Sequence, residues 1–494
     1  MIDAEPATIP DAQPAAAQDE PALMRRIAGS TVSLSGRRFA ITALSGLSVA
    51  FVARALGPSN YGVLASAIAT FNLLLGLSDF GFSLTISREL ATREHEGRAL
   101  MQAAFELQSM WALVLALAMA GLALATGIGN VHGQALLVLA PAVAVSGLVS
   151  ARSIFAVTYT MQRLVRIDVA STAAQVALMI AAARAGLGPP GVAGAVALGY
   201  AVNCVLAARL GTRLVTRDSR RRTSRRLLAR KVLPLGLMSF MSQVYLTIDV
   251  VILGWLVAGR SLGYYGAASK MLTILQGTAV VAIGAALPAL AVAARDPQAL
   301  SRISTRIWHW LAALGLPCFV ATALFAPLLT KIALSGTFAH TTVYLRILTL
   351  AGFIGVASAF LVIVLVAKGV VRPLMIQSAI ALVFNVAGNL LLVPHYGVVA
   401  SAWLTVLTEA IVCGCALFTL SRRVDFGPWL AVSWRPLCAL AAASAAGLAL
   451  HAWVAAAIPA FVVTYAALNV LLGGWPEELT PARLRRTAPD AGGG

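Results

Sequence analysis

Apolar runs of about 20 residues, the length of helix that crosses a ~30 Å hydrocarbon core, follow one another along nearly the whole chain. The first two fill residues 39–91 and meet at a very short polar turn, Gly57-Pro58-Ser59-Asn60-Tyr61-Gly62, which makes them a transmembrane helical hairpin. Further runs fall near 107–128, 135–158, 168–185 and 190–210, then near 233–257, 270–293, 308–330, 344–366, 373–393 and 397–420. Two more, near 429–449 and 453–472, bring the expected count to 14. The pattern predicts an all-α integral membrane protein of about 14 transmembrane helices.

Two short strings recur at nearly one offset. Gly57-Pro-Ser-Asn-Tyr61-Gly62 has a counterpart in Gly259-Arg-Ser-Leu-Gly-Tyr-Tyr265-Gly266, and Pro190-Gly191-Val192-Ala193-Gly194-Ala195 has one in Tyr396-Gly397-Val398-Val399-Ala400-Ser401. Their spacing suggests duplication of a six-helix unit whose even helix count keeps both copies in one orientation. The expected layout is a disordered cytoplasmic tail at 1–38, a six-helix bundle at 39–212 and a basic cytoplasmic linker at 213–232. A second six-helix bundle at 233–421, two extra helices at 422–474 and a cytoplasmic tail at 475–494 follow. No apolar core of a signal peptide precedes Phe39.

Composition agrees with the pattern. Apolar residues make up 59% of the chain and charged residues 11%, too little polar surface to cover a water-soluble globule. The net charge of +18 does not point to nucleic acid, because the basic residues lie between apolar runs and no recognised binding module accompanies them. It points to orientation in the bilayer. With the N-terminus in the cytoplasm, 30 of the 37 Lys and Arg residues fall on the cytoplasmic side and six on the other, with Arg435 inside a helix. The basic linker contributes most, through Arg220-Arg221-Arg222 and Arg225-Arg226. Both termini are therefore expected in the cytoplasm. The five cysteines lie in apolar runs without metal-ligand spacing and are expected to be small core residues, so no metal site is expected.

Polar residues inside a bilayer span face a partner or a wet cavity. Four spans carry polar stripes at helical spacing: Asn72, Gly76, Asp79 and Ser83; Ser239, Ser242, Gln243 and Asp249; Gln377, Asn385, Gly388 and Asn389; Ser401, Thr405, Thr408 and Glu409. Hydrogen bonding between helices explains any single Ser or Thr. Recurrence in both halves points to a shared hydrated cavity. Asp249 and Glu409 lie about mid-depth, where each is either a buried salt-bridge partner or a proton or sodium site. Arg54 and Lys270 would stand near the outer mouth of that cavity and Arg88 near the inner one, with snorkelling to headgroups as the other reading. A basic cavity suits a diphosphate, which a guanidinium grips bidentately while Ser, Asn and Gln side chains meet a sugar chain.

The motifs carry a resemblance. Ala53-Arg54-Ala55-Leu56-Gly57-Pro58 with Tyr61-Gly62, then Asp79-Phe80-Gly81 and Arg88-Glu89-Leu90-Ala91, resemble the opening of the Wzx-like polysaccharide flippases, within the multidrug/oligosaccharidyl-lipid/polysaccharide exporter group. Thr247-Ile-Asp249-Val-Val-Ile-Leu-Gly254 with Gly263-Tyr-Tyr-Gly-Ala-Ala-Ser-Lys270 looks like that family's seventh and eighth helices. Asn385-Val-Ala-Gly-Asn389 with Pro394-His-Tyr-Gly397 and Glu409 looks like its eleventh and twelfth. The resemblance implies two rocking six-helix bundles with alternating access. It further implies transfer of undecaprenyl-diphosphate-linked oligosaccharide to the periplasmic leaflet of a bacterial inner membrane. Among motif residues it points to Arg54, Asp79, Arg88, Asp249 and Lys270. The expected substrate-contacting set is Arg54, Lys270, Arg88, Asn72, Asn385, Asn389 and Gln243, and the expected ion-coupling set is Asp249, Glu409 and Asp79. No catalytic residue and no cofactor beyond a coupling proton or sodium is expected. Expected partners are the lipid-linked oligosaccharide, membrane lipids, and the polysaccharide polymerase and chain-length machinery.

Two rivals differ in what they need. A drug or cation exporter of the same fold group wants an acidic cavity, whereas the ionisable residues here include Arg54, Lys270 and Arg346. A membrane glycan polymerase or ligase wants convergent catalytic residues on a sizeable outer loop, and the outer turns are short, as at Gly57–Gly62 and Pro394–Gly397.

Overall fold

The computed structural model describes residues 20–92, 97–158, 160–213, 225–257, 259–370, 372–422, 424–450 and 453–476. Among them there is no strand. The helices are α1 (Glu20–Asp79), α2 (Phe82–Thr92), α3 (Gly97–Thr126), α4 (Val131–Val145), α5 (Arg152–Val157), α6 (Met161–Arg184), α7 (Gly188–Arg213), α8 (Arg225–Leu256) and α9 (Arg260–Ala285). They continue as α10 (Leu287–Ala293), α11 (Pro297–Trp310), α12 (Leu316–Leu324), α13 (Ala326–Leu334), α14 (Thr341–Ala367), α15 (Arg372–Tyr396), α16 (Val398–Ser421), α17 (Gly427–Ala449) and α18 (Val454–Leu472). Among the described residues, ten stretches are long and apolar enough to cross a bilayer. The first contains both arms of α1, and the described parts of α8 and α18 add two shorter apolar stretches. An all-helical membrane fold of about 14 helices is what the apolar pattern predicts, and it is what the chain forms.

Several boundaries move. The chain is helical from Glu20, although the sequence predicts a disordered tail through Arg38. After Pro21 nothing in this stretch breaks a helix, and extending one adds a hydrogen bond per residue. The expected turn at Gly57–Gly62 reduces to Gly57 alone, at φ +70°, with Pro58 opening the second arm of α1. Its counterpart Gly259 also has positive φ, +90°, so α9 begins at Arg260 and Gly263-Tyr-Tyr-Gly is helical. The second string pair does not share a turn, since Gly397 has φ +66° while Gly191 lies inside α7. Of the linker, residues 214–224 lie outside the described residues, and α8 is already formed at Arg225. The stripe from Asn72 to Ser83 is not one continuous face, because the helix breaks after Asp79 at Phe80 and Gly81, both with positive φ.

The chain divides into two compact units, Met1–Ala267 with Val386–Val398, and Ala268–Asn385 with Val399–Gly494. In the first, the second arm of α1 runs against α8 and the start of α9 along a seam of small residues. A Cβ on Gly263 would collide with the Pro58 carbonyl, one on Gly62 would lie 2.6 Å from the Gly263 nitrogen, and one on Gly254 would lie 2.5 Å from Ser66 Cβ. Further along, Gly76 is covered by the Gln243 side chain and Gly236 by Phe80. Without a hydrophobic force between helices in lipid, such close backbone approach is what makes packing favourable.

The break after Asp79 exposes carbonyls that lipid cannot satisfy. Gln108, fully buried on α3, donates to Ser78 O at 3.2 Å, and Trp111 donates to Leu77 O at 2.8 Å. The Gln108 carbonyl in turn accepts from Ser150 N at 3.3 Å, in the 3-10 turn Ser146–Ala151 between α4 and α5.

In the second unit, the final helix pair braces α11. Trp308 stacks on Trp429 at 5.7 Å between ring centres and donates to Ser433 Oγ at 2.8 Å. A five-residue π segment, Leu311–Gly315, follows α11, and the Tyr465 hydroxyl donates to Ala313 O within it at 2.6 Å. The cysteines depart from expectation: Cys204 is buried, Cys413 and Cys415 are half-buried, and Cys318 and Cys438 are exposed. Helix faces turned outward here are apolar, so a thiol needs no core to sit in.

Gly263→Ala is expected to cost about 1–3 kcal/mol through overpacking against the Pro58 carbonyl. Gly284→Ala, where a Cβ meets nothing within 4 Å, is expected to be neutral or stabilising. Thermal unfolding of the detergent-purified variants checks the contrast, and equal loss in both would exclude the seam as its cause.

Candidate functional site

Three polar clusters stand inside the helices. The first flanks the glycine seam. Gln243, on α8, lies over Gly76 and donates to the Asn72 carbonyl at 3.5 Å, so the sequence-predicted Gln243 and Asn72 are neighbours, with the Asn72 side chain exposed. Asp249, one helical stretch further along α8, accepts from the Tyr265 hydroxyl at 2.6 Å, and Tyr265 is fully buried. Tyr265 is the aromatic of the second Tyr-Gly string, so the repeat that marks the seam also supplies the partner of its carboxylate. Asp79 acts locally. Its Oδ1 accepts from the Ser83 backbone N–H at 3.2 Å and from the Ser83 hydroxyl, capping α2 after the break.

The second cluster lies in the other unit. Glu409 accepts from Ser358 Oγ at 3.4 Å, and Gly355 leaves room for it, since a Cβ there would meet Glu409 Oε2 and Gln276 Nε2 at 3.1 Å each. Asn385 is buried and donates to Thr408 Oγ1 at 3.5 Å. Gln377, Ser401 and Thr408 are buried as well. Arg54 is exposed one turn before Gly57, and Lys270 is half-buried on α9. These two residues belong to different units, as do Asn385 and the fully buried Asn389. The Arg88 side chain, and those of Ser239 and Ser242, lie outside the described residues.

Sequence reasoning missed the third cluster. Asp168, only 2% exposed on α6, accepts from Arg152 Nη2 at 2.5 Å and Arg37 Nη1 at 2.9 Å on the same oxygen, Oδ2. Its Oδ1 accepts from Asn203 Nδ2 at 3.0 Å, and the Asn203 carbonyl accepts from Arg152 Nη1 at 2.8 Å. Asn203 Nδ2 also reaches Ser171 Oγ at 2.6 Å. Two guanidiniums on one carboxylate leave the cluster positive. The available signal was the sole acid, Asp168, in the Arg152–Asp168 segment, at the first residue of an apolar run. No group of three or more His, Cys, Asp or Glu side chains among the described residues is placed to hold a metal ion.

Helices long enough to cross a bilayer, with ionisable groups buried among them, define a polytopic integral membrane protein. The sequence matches the family described as "Polysaccharide biosynthesis protein" over residues 51–343, more than half of its length, and the chain belongs to that family. No curated protein matches the chain. Among solved structures it is similar to the lipid II flippase MurJ in an inward closed conformation, with a TM-score of 0.73 at 14% identity, covering 90% of this chain and 98% of that one. It is also similar to an inward-facing multidrug resistance MATE family transporter of the MOP superfamily, with a TM-score of 0.57 at 15% identity, covering 78% and 98%. A eukaryotic MATE transporter gives 0.56 at 15% identity, covering 83% and 98%. At these identities the likeness establishes the fold, that of membrane flippases and transporters.

Arg152→Ala is expected to cost about 3 kcal/mol, because it removes one of the two cations holding a buried carboxylate. The pair Arg152→Met with Asp168→Leu is expected to recover part of that loss, since the buried carboxylate leaves with Arg152 and the remaining cation, Arg37, is 26% exposed and can reach solvent. Unfolding temperatures of the single and double variants check this; a double variant worse than the sum of its singles would contradict it.

Proposed function

We propose that the protein is a flippase that moves undecaprenyl-diphosphate-linked oligosaccharide units from the cytoplasmic to the periplasmic leaflet of a bacterial inner membrane, by alternating access, for surface or extracellular polysaccharide. The observation that carries this reading is membership of a polysaccharide biosynthesis family by a chain with the fold of a lipid II flippase. The chemistry fits. A lipid-linked glycan brings a diphosphate, for which Arg54 and Lys270 are the candidate partners, and hydroxyl-rich sugars, for which Asn72, Gln243, Asn385 and Asn389 are. The acyl part stays in lipid, so the protein need only shield the polar part. Asp249, held by a neutral phenol, and Glu409 are the candidate ion-coupling carboxylates. The protein's product would pass to polymerase and chain-length machinery on the far side of the membrane. The fold likeness to MATE transporters supports a second reading, drug or cation export, with a lower structural similarity, 0.57 against 0.73.

Depletion of the protein in cells is expected to leave lipid-linked oligosaccharide on the cytoplasmic leaflet, unreached by an impermeant glycan-binding reagent, with loss of surface polymer. Normal outer-leaflet labelling would defeat the flippase reading for that glycan and favour export. In the same cells, Arg54→Glu or Lys270→Glu is expected to lower surface polysaccharide strongly at unchanged protein level. Wild-type output from both variants would remove these two residues from the substrate path.

A further inference from the structure

Beside the Asp168 cluster, α1 and α6 border an open cavity of about 350 Å³ lined by Gly36, Arg37, Gln162, Val165, Arg166 and Val169. Gln162, Val165, Arg166 and Val169 form one face of α6 at helical spacing, and Gly36-Arg37 faces them from α1. Nothing in the transport reading uses this cavity. We propose that it is a binding site for the phosphate headgroup of an anionic glycerophospholipid of the cytoplasmic leaflet, separate from the carried molecule.

Depth is the first argument. The apolar run of α1 begins at Phe39, two residues after Arg37. Arg166 lies five residues into α6 from Met161, about 7 Å along its axis at 1.5 Å per residue. A bilayer has roughly 5–7 Å of polar headgroup region on each side of its hydrocarbon core. Both walls therefore place the cavity at headgroup level. Its side of the membrane is the basic one, where the excess of Lys and Arg directs the protein's cytoplasmic face.

Charge is the second. Arg37 and Arg166 contribute two guanidiniums and Gln162 an amide, all suited to phosphate oxygens. Asp168, behind Arg37, offsets one positive charge, while Arg152 restores it on the far side of the carboxylate. The Asp168 contact also fixes Arg37 in place, so its fork is set before a ligand arrives.

Shape is the third, and it selects the ligand. The volume is enough for a phosphoglycerol group. Val165 lies level with Arg166, and Val169, about 4.5 Å deeper along α6 at 1.5 Å per residue, continues the wall toward the hydrocarbon, where the first carbons of acyl chains would lie. A free phosphate would have no use for that apolar half. Gly36 borders open space, since a Cβ there would meet nothing within 4 Å, so a longer side chain can extend from it.

Native mass spectrometry of the full-length protein in detergent tests this, with phosphatidylglycerol and phosphatidylcholine of identical acyl chains as probes. The wild type is expected to retain phosphatidylglycerol about tenfold more tightly, the worth of one charge-assisted contact. Arg166→Gln, which removes the charge, and Gly36→Leu, which fills the cavity without touching a charge, are each expected to abolish the preference. Arg166→Lys should keep part of it. Circular dichroism and elution volume confirm that the variants are folded. Equal retention of the two lipids by the wild type, or an undiminished preference in both folded variants, overturns the proposal. Displacement of the bound lipid by millimolar inorganic phosphate would overturn it in favour of a free-anion site.

Discussion

The first unit depends on a contact in which no side chain takes part. The backbone at Gly263 sits where a single methyl group would strike the Pro58 carbonyl, and Gly62 approaches the same residue from the other side. In water such closeness would be one packing device among several. In lipid, where tails are as apolar as the helix surfaces they cover, close backbone contact is a main source of helix attraction. The seam fixes how the second arm of α1 lies on α8, and so brings Gln243 to the Asn72 carbonyl and sets the start of α9, from which Tyr265 reaches Asp249. The polar groups nominated for function are thus positioned by residues whose contribution is the absence of a side chain.

A second constraint follows from the same solvent. Each interruption of a helix leaves carbonyls that hydrocarbon cannot bond, so breaks appear where a polar side chain can answer them. After Asp79 the answer comes from Gln108 and Trp111 on α3. At the π segment it comes from Tyr465 on α18, beside the stacked Trp308 and Trp429. The last two helices therefore have a physical role within their unit, because α17 and α18 hold an irregular stretch of the preceding helices that would otherwise carry an unmet carbonyl. His309 adds to the same brace by reaching Gly474 O at 2.8 Å.

Much of the fold was legible in the sequence because bilayer thickness dictates the length of apolar runs, and because lipid permits only helix for a chain without a closed barrel. The Tyr-Gly strings were legible as a repeat, and the positive φ values of Gly57 and Gly259 give that repeat a geometric meaning. What hid was whatever depended on an apolar run's edge. Hydropathy placed Asp168 at the first residue of one span and Arg152 toward the end of another, whereas α6 begins at Met161 and buries the acid against two cations. A charge fully paired within the protein is invisible to an apolar average, which reads it as water-facing. The cysteines erred the other way, since a rule learnt for soluble cores assigns an apolar residue to the interior. Here lipid accepts Cys318 and Cys438 on exposed helix faces.

The carboxylates inside the helices are held in different ways, and the difference bears on which could exchange an ion. Asp168 is fixed between guanidiniums, so its charge is already answered and a transported cation would have to displace one of them. Asp79 is spent on the first turn of α2 through Ser83. Loading it with a proton would weaken a cap next to a backbone break, at a cost of about 1 kcal/mol to the helix that follows. Asp249 receives a hydroxyl from a buried tyrosine, a partner that orients the carboxylate without cancelling its charge. Among these three, taking up a proton or sodium at Asp249 dismantles no ion pair and no cap. It also ties α8 to the start of α9, through Tyr265. Under the proposed transport reading, that combination favours Asp249 among the three as the candidate for coupling.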